Sequence, residues 1–441
     1  MAVSHKMIKT KGRLSNARIG FKTLVRALKH RNYRIFFAGQ TVSLTGSWMQ
    51  EVAVGWLVYR LTGSAFLLGL VSFSGQIPYL VLTPLAGVLT DRYNRHRMLM
   101  VSQTLAMLQA FALAFLAFGG MIRIWHLVFL SLFQGIVDSF QMPARQSFLV
   151  EIVDKREDLP NAIALNSFMF NIARFFGPCL AGLLLAVTGE GVCFLANGLS
   201  FLAVVMALLL MDLPARKIPH PRRRLWHEMR EGFSYAFGFP PIRMILFIVA
   251  LMAVMGRPYA VLAPVYAKEI LHGGPHTLGF LLSGAGAGAL CGALFMASRT
   301  SVIGLGRLIA GASAVFGAGL VGLAFSRTEW LSMLMMFLVG FGMIVQTTSC
   351  STVLQTIVDD DKRGRLMSIY TTAFMGFIPF GSLGSGALAS RVGVPKTMVI
   401  GGLLCLFGAF LFARKLPALK ASIRPVYASR GLIPIAGGVS G

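Results

Sequence analysis

The sequence predicts an all-α membrane protein of twelve transmembrane helices in two pseudo-symmetric six-helix bundles, and three observations carry that prediction. Of its 441 residues, 56% are hydrophobic and only 13% are charged, with a mean hydropathy of +0.71, more apolar surface than a soluble domain of this size hides. The apolar residues come in successive blocks of about 18 to 25, the length with which a helix crosses roughly 30 Å of hydrocarbon. Landmarks of the first half also recur in the second at one constant spacing: Ile152-Val153-Asp154 falls on Ile357-Val358-Asp359, Leu149 on Leu354, Gly135 on Gly340 and Gly87 on Gly292. Lipid requires each spanning backbone to satisfy its own hydrogen bonds, so blocks of this length read as helices.

In chain order, residues 1–34 form a basic cytoplasmic segment, too polar for a cleaved signal peptide, so the first membrane helix directs insertion. Within it Ile19, Phe21, Leu24, Val25 and Leu28 alternate with Arg18, Lys22, Arg26 and Lys29 at helical spacing. Two readings fit that pattern, an amphipathic helix resting on anionic lipid or a solvated basic tail. The first bundle, 35–213, holds spans near 35–59, 65–89, 98–118, 124–142, 162–187 and 191–211. Residues 214–240 are polar, basic and Pro-rich, the composition of a cytoplasmic linker. The second bundle, 241–414, holds spans near 242–266, 278–297, 308–325, 331–353, 366–389 and 397–413, and residues 415–441 read as a loosely ordered cytoplasmic tail.

A formal net charge of +25 first suggests nucleic acid, but the basic residues sit at the ends of apolar blocks, where they set topology. With both termini cytoplasmic, the great majority of the 41 Lys and Arg fall on the inside. The five cysteines (Cys179, Cys193, Cys291, Cys350, Cys405) lie unpaired inside apolar blocks and read as small hydrophobes. Seven of the eight histidines fall outside the spans and His126 sits at the very start of the fourth, which argues against a buried His relay and a metal-dependent enzyme, and no cofactor or metal is expected. Gly284, Gly286, Gly288 and Gly292 lack the preceding strand and following Lys-Ser/Thr of a phosphate-cradling loop, and read as helix-packing residues.

Four ionisable residues fall within spans: Glu51, Asp138, Arg174 and Arg257. Each costs roughly 2.5 to 3.5 kcal/mol at a helix centre on insertion scales, so they are expected to face a wet cavity or one another. Glu51, Arg174 and Arg257 fall near the midplane, where transporters place substrate, and Asp138 falls nearer the cytosol. One reading makes Glu51 or Asp138 a proton carrier tuned by the arginines; the other makes all four static pairs that fix helix register. Met169, Phe170, Phe374, Met375, Phe377 and Phe380 are candidates to line an apolar part of the cavity.

The loop after the second span reads Gly87-Val88-Leu89-Thr90-Asp91-Arg92-Tyr93-Asn94-Arg95-His96-Arg97. It resembles the signature between the second and third helices of the major facilitator superfamily, G-x-L-x-D-R-x-G-R-K/R-K/R. The resemblance implies the major facilitator fold and a cytoplasmic gate that latches the two halves, carried here to Gly87, Asp91, Arg92, Arg95 and, just after the fourth span, Arg145. Asn94 stands where Gly is usual and is expected to tolerate a left-handed turn, and His96 replaces a basic residue. Three further stretches are similar to the bacterial enterobactin-exporter branch of that superfamily: Gly46-Ser47-Trp48-Met49-Gln50-Glu51-Val52-Ala53-Val54-Gly55-Trp56, Asp138-Ser139-Phe140-Gln141-Met142-Pro143-Ala144-Arg145-Gln146 and Leu159-Pro160-Asn161-Ala162. Gly177-Pro178-Cys179-Leu180-Ala181-Gly182 is similar to the Gly-Pro-x-x-x-Gly element of proton-coupled drug exporters, a place where a helix bends or packs. Ser131 stands where those exporters carry a membrane arginine.

Together these imply a monomeric secondary transporter of a bacterial inner membrane that exports an amphipathic small molecule, a siderophore or drug, against a proton flow. Its partners are substrate, protons and lipid. The alternatives are a symporter importing a nutrient, or a lipid scramblase or membrane enzyme; an enzyme needs a clustered His/Asp or nucleophile set, and the sequence offers none.

Overall fold

In a computed structural model of the chain, the described residues are 26–153, 155–211, 238–256, 258–299, 301–359 and 362–430. Asp154, Arg257, most of the basic N-terminal segment with Ile19, Phe21, Leu24 and Val25, residues 212–237 with most of the 214–240 linker, and the end of the tail lie outside them. The described residues are helical with no strand. The first half contains α1 (Arg31–Thr62), α2 (Ala65–Arg92), α3 (Arg95–Phe118), α4 (Ile124–Glu151), α5 (Leu159–Thr188) and α6 (Glu190–Leu209). The second contains α7 (Pro240–Ile270), α8 (Pro275–Ala297), α9 (Leu305–Phe325), α10 (Glu329–Ile357), α11 (Arg363–Val392) and α12 (Val394–Ser429).

Eleven of these are long and apolar enough to cross a membrane. The twelfth, α1, has the length at 32 residues but is more polar, because Gln40, Ser43 and Gln50 are buried within the bundle instead of facing lipid. Exposed Trp125 and Trp330 occupy the first turns of α4 and α10, at the same register in the two halves, where an aromatic belt meets the membrane interface.

Turn chemistry ends the helices where the apolar runs end. Gly63, at φ 59°, closes α1 in the left-handed conformation and its N–H bonds Tyr59 O at 2.8 Å. The Ser64 side chain caps α2 by accepting from Leu67 N–H at 3.3 Å. Asn94 does not take the expected left-handed turn. It is extended (φ −67°, ψ 116°), and its side chain caps α3 by accepting from Arg97 N–H at 3.1 Å, which satisfies an orphan donor that glycine leaves open.

Two helices are interrupted. Within α7, Pro258 and Pro264 remove backbone donors, and the helix ends in one π turn, Tyr266–Ile270. α11 breaks at Gly376–Phe377 between Arg363–Met375 and Ile378–Val392. The tail also differs from expectation: α12 runs unbroken for 36 residues, about 54 Å at ~1.5 Å per residue, well beyond the hydrocarbon. Leu416, Leu419, Ile423 and Val426 recur at helical spacing and pack on the second half, and Arg430 Nη2 donates to Val358 O. Pro417 and Pro425 lie on the exposed side of this extension.

Within the first half α1 packs on α5 and α6, α2 on α4, and α3 on α6; within the second α8 and α9 pack on α10, and α9 on α12. Gly284, Gly288 and Gly292 face Met333, Phe337 and Phe341 of α10, as expected of packing residues. The halves meet along two seams, α2 with α11 and α5 with α8. Each seam is built on a glycine pair: a Cβ on Gly386 would stand 2.9 Å from Gly69 Cα, and one on Gly182 would stand 2.8 Å from Gly279 Cα. The seams run from the end opposite the basic loops to about mid-helix, where Leu80 reaches Gly376 and Gly286 abuts the backbone of Arg174. Toward the basic end a Cβ on Gly87 or Gly364 would meet open space.

Candidate functional site

Of the titratable residues expected inside the bundle, the three among the described residues belong to the first half, and the helix periods place them. Glu51 lies about 16 Å from the Thr62 end of α1, Asp138 about 21 Å from the Ile124 end of α4, and Arg174 about 21 Å from the Thr188 end of α5, taking ~1.5 Å per residue. All three stand within the hydrocarbon thickness, near the level at which the seams part.

Glu51 and Asp138 are brought together. Asp138 accepts a hydrogen bond from Gln134 Nε2, one turn earlier on α4, at 2.9 Å. Its charge is felt by Tyr79 of α2, Arg145 of α4 and Glu51 of α1, so three helices converge on one cluster. Glu51 is exposed and has no ion-pair or hydrogen-bond partner among the described residues, an unusual state for a carboxylate at this depth. Arg145 lies two turns from Asp138 on the same face of α4, where the charges of Asp138 and Tyr79 act on it. Arg174 takes other partners. Its guanidinium lies 5.2 Å from the Trp48 ring centre and 5.3 Å from that of Phe170, a cation–π slot between α1 and α5. Arg257 lies outside the described residues.

A second polar group, hidden behind Glu51, holds the first half in register. Gln50 Nε2 donates to Gln109 Oε1 at 3.0 Å, and Asn197 Nδ2 donates to Gln50 Oε1 at 2.9 Å. Gln109 Nε2 then donates to Leu130 O at 3.2 Å, and Ser200 Oγ donates to Asn197 O at 2.7 Å, so α1, α3, α4 and α6 are joined by buried amides. Gln50 and Glu51, adjacent in sequence, therefore face opposite environments.

The remaining expected residues are dispersed. Arg95 pairs with Glu151 of its own half, Arg92 is exposed, the Asp91 side chain lies outside the described residues, and Gly87 faces open space. His96 bonds Leu208 O at 2.9 Å, tying the start of α3 to the end of α6. In the Gly-Pro-x-x-x-Gly element, α5 runs unbroken through Pro178; Gly177 packs on Trp48 and Thr45 of α1, while Pro178 O and Gly182 meet Gly279 of α8. Of the apolar candidates, Met169 is buried with Leu44 and Ala173, whereas Phe377 and Phe380 are 45% and 47% exposed and Phe380 pairs with Phe73 across the seam. The Asn161 side chain accepts from Ala27 N–H at 2.8 Å, and Asp158 holds Arg26 and His30, so the Leu159-Pro160-Asn161-Ala162 stretch anchors the start of α1. Hydrogen bonding to His30, then the Arg26 charge, holds the Asp158 carboxyl below the usual carboxylate range.

Sequence reasoning missed Tyr79, Gln134 and the amide group. Gln134 was legible as the i−4 neighbour of Asp138; Tyr79 joins the cluster only through the contact between α2 and α4.

A family model described as transmembrane secretion effector matches residues 23–429. The chain is 26% identical over 390 residues to the staphyloferrin A transporter of Staphylococcus aureus, spanning 88% of this chain and 97% of that one. It is 25% identical over 375 residues to the multidrug efflux pump Tap of Mycolicibacterium fortuitum, spanning 83% and 90%. Among solved structures it resembles the nucleoside transporter NupG, with a TM-score of 0.70 at 13% identity over 88% of this chain and 99% of that one. It also resembles a bacterial homologue of the human lysosomal transporter Spinster in an inward-facing, unoccupied conformation, with a TM-score of 0.66 at 13% identity over 90% and 98%. The chain belongs to the transmembrane secretion effector family of the major facilitator superfamily, multi-pass membrane transporters of small molecules and not enzymes.

Proposed function

We propose that this transporter is a proton-coupled exporter of an amphipathic small molecule, a siderophore or drug, working by alternating access as a monomer in a bacterial inner membrane with both termini cytoplasmic. The observation that carries the reading is Glu51: an exposed carboxylate at mid-membrane depth with no ion-pair partner among the described residues, next to the Asp138, Tyr79 and Arg145 cluster. A lone charge in that position is costly, and a proton that binds and leaves removes the cost in one state of the cycle. Two relatives, named as the staphyloferrin A transporter and a multidrug efflux pump, support export and an amphipathic substrate.

The two halves rock about the glycine-paired seams, and the basic loops hold the open end in the cytoplasm. Asp91, Arg92 and Arg95 join the halves at that end when the cavity turns outward, and Gly87, now facing open space, receives the neighbouring helix. One proton moved down about 150 mV supplies roughly 3.5 kcal/mol, enough for a few-hundred-fold gradient of a neutral solute.

The test uses inside-out vesicles and a fluorescent amphipathic dye. An imposed proton gradient, acid inside, drives dye uptake by the native chain, and Glu51→Gln abolishes that uptake while the purified protein keeps its melting temperature. Unchanged uptake removes Glu51 from the coupling. Dye leaving the vesicles along with the protons makes the chain a symporter.

A further inference from the structure

At the end opposite the basic loops, α1 and α7 touch through charged and aromatic groups. Tyr59, buried in the last turn of α1, donates its hydroxyl hydrogen bond to Glu269 Oε1 of the other half. Lys268 Nζ lies 5.6 Å from the centre of the same Tyr59 ring. Both side chains are delivered by the π turn Tyr266–Ile270, where one residue more per turn swings consecutive positions onto α1. That turn is itself fixed to the second half. The buried Tyr266 hydroxyl lies 2.7 Å from Leu323 O, 2.9 Å from Ser326 O and 3.1 Å from Ser332 Oγ, which bolts the end of α7 to the α9–α10 connection.

We infer that Tyr59 and Glu269, with Lys268 over the ring, form the outer latch of this transporter, the contact that must break for the cavity to open away from the basic loops. The glycine pairs Gly69–Gly386 and Gly182–Gly279 let the backbones approach without a directional bond of their own, and the hydrogen bonds along the seams, Ser283 Oγ to Phe175 O at 2.9 Å and Ser382 Oγ to Gln76 Oε1 at 3.4 Å, lie deeper, toward mid-helix. The Tyr59–Glu269 bond is directional and joins one half to the other. Lys268 and Glu269 are exposed while still engaged, so release hands them to water with little desolvation to undo. A firm anchor behind the π turn and hydrated groups in front of it make a contact that breaks at one plane. Arg60 supplies the contrast: one residue on, it pairs with Glu190 at 2.8 Å within its own half and does not bridge the seam.

The inference rests on the two halves alternating, but not on proton coupling or substrate, so its test reads geometry alone. Spin labels at Met121→Cys and Thr328→Cys, on outer connections of the two halves in a chain whose native cysteines are replaced, report the separation by pulsed electron paramagnetic resonance. Losing a hydrogen bond to a carboxylate on the closed side raises the open-to-closed ratio about tenfold or more in Tyr59→Phe. Glu269→Gln, which keeps a neutral acceptor on an exposed residue, raises it less, and Arg60→Gln leaves it unchanged. No shift in either Tyr59→Phe or Glu269→Gln overturns the latch. An equal shift in Arg60→Gln also overturns it, since general loosening then explains the change. Should Tyr59→Phe fail to fold, Glu269→Gln carries the test by itself. Loss of dye transport in Glu51→Gln with this ratio unmoved separates the latch from the coupling site.

Discussion

In the first half, Gln50, Gln109 and Asn197 hydrogen-bond one another in the interior, and Glu51, Asp138, Arg145 and Arg174 stand within the helices around them. In the second, α8 and α10 meet through glycine: a Cβ on Gly288 would strike Phe337 O, and one on Gly340 would strike Ala285 O. Midway along its described spans the second half carries no acid. The two halves thus follow the same path of the chain with different interiors among the described residues, one titratable, the other close-packed through glycine. The difference follows from the solvent. In lipid, apolar burial gives helices little reason to associate, so cohesion comes either from interhelical hydrogen bonds or from backbones brought near enough for dispersion. A moving charge needs the first kind of surroundings, and a stiff frame is served by the second.

Three measurements break or sharpen this comparison. The largest effect is expected in the close-packed half: Gly340→Val forces a side chain into the Ala285 carbonyl and destabilises by about 3 kcal/mol. The same change at Gly87, where a Cβ meets open space, stays within about 0.5 kcal/mol. Melting of the detergent-purified proteins checks both, and equal melting temperatures would show that the second half is not close-packed as described.

A smaller loss is expected from Gln50→Leu, which leaves Gln109 and Asn197 buried without their partner and costs about 2 kcal/mol. Because the penalty lies in the stranded groups, Gln50→Leu combined with Gln109→Leu should cost less than the two single losses together. Strict additivity would deny the network.

The smallest effect belongs to the loop that anchors α1. The Asp158 carboxyl is depressed in the folded chain, so its contribution to stability is present above the unfolded value and is lost as pH falls through the folded one. The melting gap between the native chain and Asp158→Asn should therefore be widest at pH 7 and close as the pH drops below about 4. A gap that is the same at both ends would remove the His30 and Arg26 contacts as its source.

Hydropathy, spacing and repetition along the chain determined the membrane class, the helices and their pairing into halves, because span length and turn chemistry are local properties set by thickness and water. They also exposed Glu51, Asp138 and Arg174, since a charge within an apolar run is visible wherever the helix goes. Tertiary structure alone decided what those charges meet: that Arg145 belongs with Asp138, that Tyr79 joins them, that Gln50 and Glu51 part company, and that the tail is a helix held by Val358. Tyr59 and Glu269 illustrate the limit most plainly. They lie 210 residues apart, each ordinary in its own segment, and acquire a role only when two halves fold and close on one another. A contact between distant segments leaves no period in the sequence, because its energy depends on where two surfaces finish and not on the residues beside either partner.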